Sequence, residues 1–230
     1  MGVCFNVEIS RIFITGLPRN DLLFETKGVL QSLGIKQEYR KIIIWMPTFR
    51  NSKSGHNDGM QSETGLPIIT QSDISLLNEY LHRKNVLLIV KLHPWADRTS
   101  IIEHEYSNIL LLEEDMIPAN CSLYNVIGAT DVLLTDYSSV YIDYLILNKP
   151  IGFVFDDIEK YKQTRGGLYE DMIDYMPGEK INTTEQLYSF IDDICVGKDI
   201  HKEEREQITK MFYKYRDNQS CRRIIDKIGL

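Results

Sequence analysis

Two short segments of the chain carry residue types suited to binding a phosphorylated ligand. Lys91 to Pro94 (KLHP) offers an ammonium group and an imidazole, and Thr135 to Ser139 (TDYSS) offers small hydroxyl side chains beside a carboxylate. A histidine can donate a hydrogen bond to a phosphate oxygen or act in acid–base catalysis. Each segment directly follows a run of apolar residues, which places both at the predicted ends of buried strands.

The apolar runs predict the strands of a parallel sheet. They are rich in β-branched residues and do not alternate with polar residues, as is typical of strands buried on both faces. Helical patterns separate the runs, and this alternation predicts an α/β, Rossmann-like fold with right-handed crossovers. The predicted strands are Ile42 to Met46, Val86 to Val90, Ile109 to Leu112, Val132 to Leu134 and Ile151 to Phe155.

The helices are predicted from apolar spacing and from residues that can cap or end them. Residues 51–72 and 156–183 lack such a pattern and are predicted to be irregular, and a loop as long as the first is often functional. One helix is expected over Asp21 to Leu33, with Asp21 as its N-cap and Gly34 as its end. Three more are expected to begin at Asp73, Ser122 and Ser139. The last three are expected at about 185–195, 201–215 and 218–228.

In an open parallel sheet, ligands bind outside the carboxyl ends of the strands. Lys91 is the cation predicted to contact substrate there. Arg50 follows the first strand and Arg165 opens a Gly-Gly turn, and arginine suits bidentate phosphate contacts, although Arg165 also fits a plain surface charge. For Ser139 two interpretations stay open, a simple helix N-cap or a phosphate contact at the helix start. Asp143, one turn into that helix, is expected to stabilise the helix dipole rather than to catalyse.

Composition and missing motifs exclude several classes of protein. The chain has 230 residues, 43% of them apolar, and a formal net charge of -7, which is ordinary for a soluble globular protein. The sequence pI near 5.3 argues against a nucleic-acid partner. The four cysteines are widely spaced, so neither a disulfide framework nor a metal site is expected. GxGxxG, Walker, HExxH and GxSxG motifs are all missing from the sequence, which argues against the common dehydrogenases, ATPases, metalloproteases and hydrolases.

The C-terminal residues differ from the rest in charge. From Lys198 onward there are nine basic and six acidic residues, which suits either a solvated helix face or an anionic surface. An apolar stripe at helical spacing, part of which is expected to be exposed, comprises Ile208, Met211, Phe212 and Tyr215. The sequence has neither a signal-like N-terminus nor a run of about 20 apolar residues. A cytoplasmic location is therefore expected, with peripheral association at the inner face of the cell membrane as an alternative.

Several motifs occur in an order that resembles one known family. TGLPRNDLL, WMPTFR, KLHP, LLTDYSSVYIDYLILNKPIGFVFDD and YKQTRGG follow one another from about Thr15 to Gly167. Together they resemble the CDP-glycerol glycerophosphotransferases, the teichoic-acid primases and polymerases. The resemblance implies the C-terminal, donor-binding half of a two-domain GT-B fold. It also implies transfer of a polyol phosphate from a CDP-polyol to a growing polymer, with release of CMP and with no cofactor or metal.

The resemblance also implies roles for individual residues. His93 is similar to the family's donor-pyrophosphate histidine, which makes it the expected catalytic residue, and Ser138 and Ser139 are similar to the phosphate-contacting serines. The remaining residues expected at the donor site are Arg50, Thr135, Asp136 and, in the RG turn, Arg165.

The sequence departs from the family pattern in one respect. Family enzymes carry a second histidine, the general base, in a WHG-type motif of the N-terminal half, and this chain has no such motif. We therefore expect residues 1–14 to be a linker from a missing N-terminal half, 15–197 to be the donor-binding domain and 198–230 to be C-terminal helices.

Three hypotheses remain open from the sequence. The first is a phosphotransferase that acts on a CDP-polyol donor and a teichoic-acid-like or capsular polymer acceptor. The alternative is a non-catalytic or split-subunit binding module that needs a partner half. The third is a degenerate remnant that folds poorly. The polyol, whether glycerol, ribitol or a sugar phosphate, also stays open.

Overall fold

The structure of the chain is a computed structural model. It describes residues 6–48, 64–92, 106–155 and 172–230. Within these ranges the strands form one six-stranded sheet in the order β3-β2-β1-β4-β5-β6. Every pairing in it is parallel. The predicted α/β, Rossmann-like fold is thus confirmed. The strands are β1 (Lys41–Met46), β2 (Val86–Val90), β3 (Ile109–Leu111), β4 (Val132–Thr135), β5 (Ile151–Val154) and β6 (Glu179–Ile181).

The central strands are buried on both faces, which explains why their sequences do not alternate. Successive side chains of a strand point to opposite faces. In β1, Ile42 and Ile44 belong to the core on one face, whereas Ile43 and Trp45 belong to the core on the other. Helices therefore cover both faces of the sheet.

The helices pack on these two faces. The first face carries α4 and α5, and the second carries α3 and α6. The helices are α1 (Pro18–Asp21), α2 (Val29–Ser32), α3 (Gln71–Lys84), α4 (Leu123–Ala129), α5 (Val140–Tyr144), α6 (Thr184–Cys195), α7 (Lys202–Phe212) and α8 (Ser220–Ile228). Short 3-10 turns lie at Ile9–Arg11, Leu22–Phe24, Glu114–Met116, Leu145–Leu147 and Met172–Tyr175.

The helix predicted over Asp21 to Leu33 is wrong. The chain instead forms α1, a 3-10 turn and α2, and Gly28 joins the last two with a positive φ of 76°. The side chain of Asn125, in α4, donates to the carbonyl oxygens of Leu22 and Glu25 at 3.1 and 2.8 Å. In a continuous α-helix each of these carbonyls would accept the N–H group four residues further on. Here Leu22 keeps only the 3-10 bond from the Glu25 N–H at 3.2 Å, and the distant Asn125 amide bonds to both carbonyls.

Two further predictions need correction. The helix predicted to begin at Asp73 begins at Gln71, because Thr70 is the N-cap and Asp73 occupies the third position of a capping box. Strand β6 was not predicted and lies in the stretch predicted to be irregular. Of the predicted loop at 51–72, residues 51–63 lie outside the described residues. Leu66 and Ile69, in its described part, are buried.

The C-terminal helices pack against the same body as the sheet. Ile208 of α7 belongs to the core on the first face. Met211 and Phe212, at the end of α7, remain 65% and 44% exposed, as expected for part of the apolar stripe.

Candidate functional site

The strand order places the candidate site between β1 and β4. The chain proceeds from β1 outward to β2 and β3, and then returns to the other side of β1 as β4. Ligands of open α/β sheets bind at such a switch point, outside the carboxyl ends of the strands. Met46, the last residue of β1, pairs with Thr135, the last residue of β4. The TDYSS segment therefore begins at the switch point.

Two of the predicted site residues join the ends of β1 and β4. The Thr135 hydroxyl donates to the carbonyl oxygen of Met46 at 2.8 Å. The Asp136 carboxylate is fully buried and accepts the backbone N–H of Thr48 at 2.9 and 3.0 Å and the Thr48 hydroxyl at 2.6 Å. These bonds hold the segment after β1, which leads to Arg50, against the start of the TDYSS turn.

The two serines of the turn lie at the start of α5. The helix begins at Val140 with Ser139 at the N-cap position, as predicted, but the Ser139 side chain makes no capping bond. Ser139 is exposed, and the Ser138 hydroxyl accepts only a long bond of 3.5 Å from the Val140 N–H. In the part of the chain that the structure describes, capping therefore does not occupy the Ser139 hydroxyl.

Lys91 contributes a buried cation at the same edge. Its backbone N–H donates to the carbonyl oxygen of Trp45 at 2.9 Å, which continues the hydrogen bonding between β1 and β2 one residue beyond the end of β2. Its side chain is only 7% exposed, and its ammonium lies 3.9 Å from a carboxylate oxygen of Glu114, which is itself largely exposed. This separation is at the limit of an ion pair, so the charge of Lys91 is weakly compensated among the described residues.

Three predicted site residues lie outside the described residues: Arg50, His93 and Arg165. Their roles therefore stay predictions. The structure does place the strand end that precedes each of the first two, at Met46 and at Val90.

Sequence reasoning missed a network around Asp143. This carboxylate is 3% exposed and accepts hydrogen bonds from Arg19 Nε at 3.1 Å and Arg19 Nη2 at 3.2 Å. It also accepts the hydroxyl of Tyr124 at 2.7 Å and that of Tyr213 at 3.4 Å. The helix-stabilising role expected of Asp143 is therefore too narrow, because three distant segments converge on it. A lone carboxylate within the apolar run of α5 was the available signal.

The titration of the network residues is set by burial and by Asp143. Burial raises the pKa of Tyr213 to about 12, with the Asp143 charge acting in the same direction. Burial also raises the pKa of Tyr124, again reinforced by Asp143. Both phenols therefore keep their protons at neutral pH and act as donors to the carboxylate. Burial acts to lower the pKa of Arg19, but Asp143, Tyr124 and Tyr213 together outweigh it and the net shift of the pKa is upward.

The residues next to Arg19 hold the C-terminal segment. The Asn20 side chain donates to the Tyr213 hydroxyl at 3.1 Å. Asp21 was predicted to be the N-cap of its own helix. In the structure it is instead the last residue of α1. Its carboxylate accepts the backbone N–H groups of Ser220 at 2.9 Å and Cys221 at 2.8 Å, and so caps α8. Burial acts to raise the pKa of Asp21, but these two bonds outweigh it and lower the pKa.

These groups together suit an anionic ligand with oxygen acceptors. Hydroxyl groups, a weakly compensated ammonium and a half-exposed guanidinium lie at one edge of the sheet, at or near its switch point. Such donors recognise phosphate oxygens. Within the described ranges, no cluster of histidine, cysteine, aspartate and glutamate side chains is arranged to hold a metal ion.

Comparison with known proteins identifies the family. A family model described as CDP-glycerol:poly(glycerophosphate) glycerophosphotransferase matches residues 1–230. The chain belongs to this family. The resemblance drawn from the sequence motifs is therefore confirmed.

Curated relatives include teichoic-acid polymerases and primases. The chain is 29% identical over 230 residues to the teichoic acid poly(ribitol-phosphate) polymerase of Bacillus spizizenii, covering 97% of this chain and 34% of that protein. It is 32% identical over 189 residues to the teichoic acid glycerol-phosphate primase of Bacillus subtilis, covering 81% of this chain and 44% of that protein. The chain thus spans less than half the length of these two relatives.

Solved structures support the fold. A variant of the wall teichoic acid polymerase TagF superposes with a TM-score of 0.70 at 22% identity, covering 98% of this chain and 53% of that one. A UDP-N-acetylglucosamine 2-epimerase homologue from Listeria monocytogenes superposes with a TM-score of 0.53 at 15% identity, covering 99% of this chain and 55% of that one. In both cases the match covers about half of a larger chain, as expected for one half of a GT-B fold.

Proposed function

We propose that this chain binds a CDP-polyol and forms the donor-binding part of a transferase that adds polyol phosphate to a teichoic-acid-like polymer. Membership of the glycerophosphotransferase family supports the reaction class. The observation that carries the proposal is the set of available donors beside the β1–β4 switch point, namely the Ser139 hydroxyl and the buried Lys91 ammonium. No cofactor takes part in the proposed reaction.

In the proposed reaction, an acceptor hydroxyl oxygen bonds to the phosphorus that bears the polyol. The bond from that phosphorus to the bridging oxygen breaks, and its electron pair leaves with CMP. Ser138, Ser139 and Lys91, together with His93, Arg50 and Arg165 outside the described residues, stabilise the charge on the leaving phosphate. The loss of one preorganised donor of this kind costs roughly 100- to 1000-fold in rate. The acceptor proton passes to a base, which the family resemblance assigns to a histidine of the N-terminal half.

Thr135 and Asp136 have a different part in the proposed site. Both side chains are fully buried, and they bond to Met46 and Thr48 at the end of β1. We assign them the task of joining the two strand ends between which the donor sits. Their removal is expected to weaken binding by loosening this frame.

Calorimetric titration of the purified chain with CDP-glycerol, CDP-ribitol, CMP and cytidine tests the proposal. We expect saturable binding of both CDP-polyols, and the ratio of their affinities identifies the polyol. A folded chain that produces no heat with any of these ligands at millimolar concentration would contradict the proposal.

Substitutions then separate phosphate contacts from effects on the fold. Ser138→Ala and His93→Ala are expected to weaken CDP-glycerol binding by roughly 10- to 100-fold and to leave cytidine binding unchanged, since a hydrogen bond to a charged group contributes about 1.5–3 kcal/mol. His82→Ala is the matched control, because His82 lies on α3 and contacts Asn108 instead of the switch point. Equal losses for cytidine and CDP-glycerol would show that the residues shape the fold.

The second candidate is a binding module that needs a partner half for turnover. The family resemblance assigns the general base to a WHG-type motif that these 230 residues do not contain, which is why we keep this candidate. A CMP-release assay with CDP-glycerol and polymer acceptor distinguishes the candidates. Binding without CMP release supports the module, and release by a monomer, verified by sedimentation, supports a self-sufficient transferase.

We further propose that the C-terminal segment contacts an anionic membrane surface. No helix among the described residues is long and apolar enough to cross a bilayer. Helix α8 combines Arg222 and Lys227 with Ile225 and Ile228, which are 40% and 63% exposed. A basic amphipathic helix binds anionic lipid through both kinds of residue. More of the protein should sediment with phosphatidylglycerol vesicles than with phosphatidylcholine vesicles. Ile228→Ser should reduce the fraction of protein that sediments with phosphatidylglycerol vesicles. Equal fractions with both lipids would contradict this assignment.

A further inference from the structure

Arg19 is held in a fixed orientation by a buried carboxylate. Its Nε and Nη2 atoms donate to the two oxygens of Asp143 at 3.1 and 3.2 Å, which is the bidentate geometry of an arginine–carboxylate pair. Asp143 is buried, whereas the Arg19 side chain is 53% exposed. The pair therefore presents a guanidinium to solvent from a rigid support.

Tyr124 completes this support. Its hydroxyl donates to Asp143 at 2.7 Å, and the Arg19 guanidinium carbon lies 5.8 Å from the centre of its ring. Tyr124 is the second residue of α4, and α4 enters strand β4 at the amino edge of the sheet. The start of α4 thus faces the carboxyl edge, as does the start of α5. Arg19 consequently lies between two helix starts on the ligand side of the sheet.

The guanidinium is bonded to the helix that the serine turn begins. Ser139 and Asp143 are four residues apart at the start of α5, so their side chains share one face, with Cβ atoms about 5–6 Å apart. Asp143 engages one edge of the guanidinium, and no hydrogen-bond acceptor within the described ranges contacts Arg19 Nη1. Nη1 is therefore left to donate to a ligand.

An ordinary surface pair in the same protein shows what is different here. Arg222 and Asp226 also pair, at 3.0 Å, but both side chains are more than half exposed and lie on one turn of α8. Such pairs contribute little and leave the arginine mobile. In the Arg19 pair the carboxylate is buried and bonded by two tyrosines, so the orientation of Arg19 is already fixed before a ligand binds.

We propose that Arg19 is a further phosphate-binding residue of the donor site, and that Asp143 and Tyr124 are positioning residues for it. This inference rests on the proposed CDP-polyol binding function. It assigns to the PRND turn a contact with the diphosphate, beside the contact made by the serine turn.

Calorimetry on variants of the full chain tests the proposal. Arg19→Gln is expected to weaken CDP-glycerol binding by about 10- to 100-fold. Arg19→Lys is expected to weaken it by less, because lysine keeps the positive charge but cannot donate two parallel hydrogen bonds as a guanidinium does. Tyr124→Phe removes one hydrogen bond to Asp143 and leaves Arg19 in place, and it is expected to weaken CDP-glycerol binding by about 3- to 10-fold. Cytidine binding should not change in any of them, and Arg222→Gln is the matched control. Equal losses for cytidine, or no loss in Arg19→Gln, would overturn the inference.

A measurement on the unsubstituted protein covers the case in which Arg19→Gln does not fold. Phenylglyoxal modifies accessible arginines, and peptide mass spectrometry reports each one separately. CDP-glycerol, but not cytidine, should protect Arg19 and leave Arg222 reactive. Failure of the unsubstituted protein to bind CDP-glycerol would overturn both the proposed function and this inference. Binding without protection of Arg19 would overturn this inference alone.

Discussion

The bond between the Thr48 hydroxyl and the buried Asp136 carboxylate yields a quantitative prediction about the frame of the site. Thr48→Val replaces the hydroxyl by a methyl group of similar size, so no cavity forms and the backbone N–H of residue 48 can still reach the carboxylate. The variant loses only the 2.6 Å hydroxyl bond. A hydrogen bond to a charged group contributes about 1.5–3 kcal/mol. We expect the free energy of unfolding to fall by this amount.

This loss is large enough to measure in a chain of this length. For domains of 150–250 residues, 1 kcal/mol corresponds to about 2–4 °C in Tm, so Thr48→Val should melt about 3–12 °C lower. Urea unfolding followed by tryptophan fluorescence suits the measurement, because Trp45 is fully buried in β1, three residues before Thr48. The slope of the transition with urea should not change.

Thr48→Ser is the matched control for this prediction. Serine keeps the hydroxyl and loses one methyl group, at a cost of about 0.8 kcal/mol or less for a half-buried side chain. If the valine and serine variants unfold at the same urea concentration, the hydroxyl bond contributes nothing and the reasoning about Asp136 as an anchor is refuted.

Two more predictions concern packing of the elements around the site. Asp21→Ala leaves the first N–H groups of α8, those of Ser220 and Cys221, without their acceptor, so hydrogen exchange in α8 should accelerate and stability should fall by about 1.5–3 kcal/mol. The pKa of Asp21 in the folded state lies below its ordinary value. The stabilisation by Asp21 is therefore complete above about pH 4 and is lost as the pH falls through the folded-state pKa. Asp21→Asn should abolish this pH dependence of the stability of α8. Gly128→Ala would place a Cβ atom 2.0 Å from the carbonyl oxygen of Leu23 and should destabilise by about 1–3 kcal/mol or more, seen as a lower urea midpoint. An unchanged midpoint would mean that α4 shifts freely at this contact.

The strands could be predicted from the sequence because their signal is local. A buried parallel strand is a short run of β-branched residues, and the bounds of Val86–Val90 were predicted to the residue. Strand β6 was missed because it has three residues, of which Glu179 and Lys180 are charged and half-buried. An edge strand of this kind resembles a loop in sequence.

The errors at the start of the chain have a non-local cause. Apolar spacing favoured one helix over Asp21 to Leu33, but Asn125 lies about 100 residues away and takes two of its carbonyl groups. No window of sequence contains both partners. Asp21 was likewise predicted to cap its own helix, whereas it caps one that begins at Ser220.

The residues of the candidate site likewise differ in whether their signal in the sequence is local. The positions of the serine turn and Lys91 at the carboxyl ends of β4 and β2 could be predicted, because both stand directly after recognisable strands. The Arg19–Asp143 pair could not, because its members are 124 residues apart and each has an ordinary local explanation. Arg19 fits a surface turn, and Asp143 fits the first turn of a helix.

The PRND turn connects the site with the C-terminal helices through three consecutive side chains. Arg19 bonds to Asp143 in α5, Asn20 bonds to Tyr213 after α7, and Asp21 caps α8. Since Tyr213 also donates to Asp143, the turn, α5 and the end of α7 form one closed network. A displacement of the C-terminal segment would therefore reach Asp143 and, through it, the orientation of Arg19. The helices beyond residue 197 are consequently tied to the PRND turn and to α5, and are not an independent appendage.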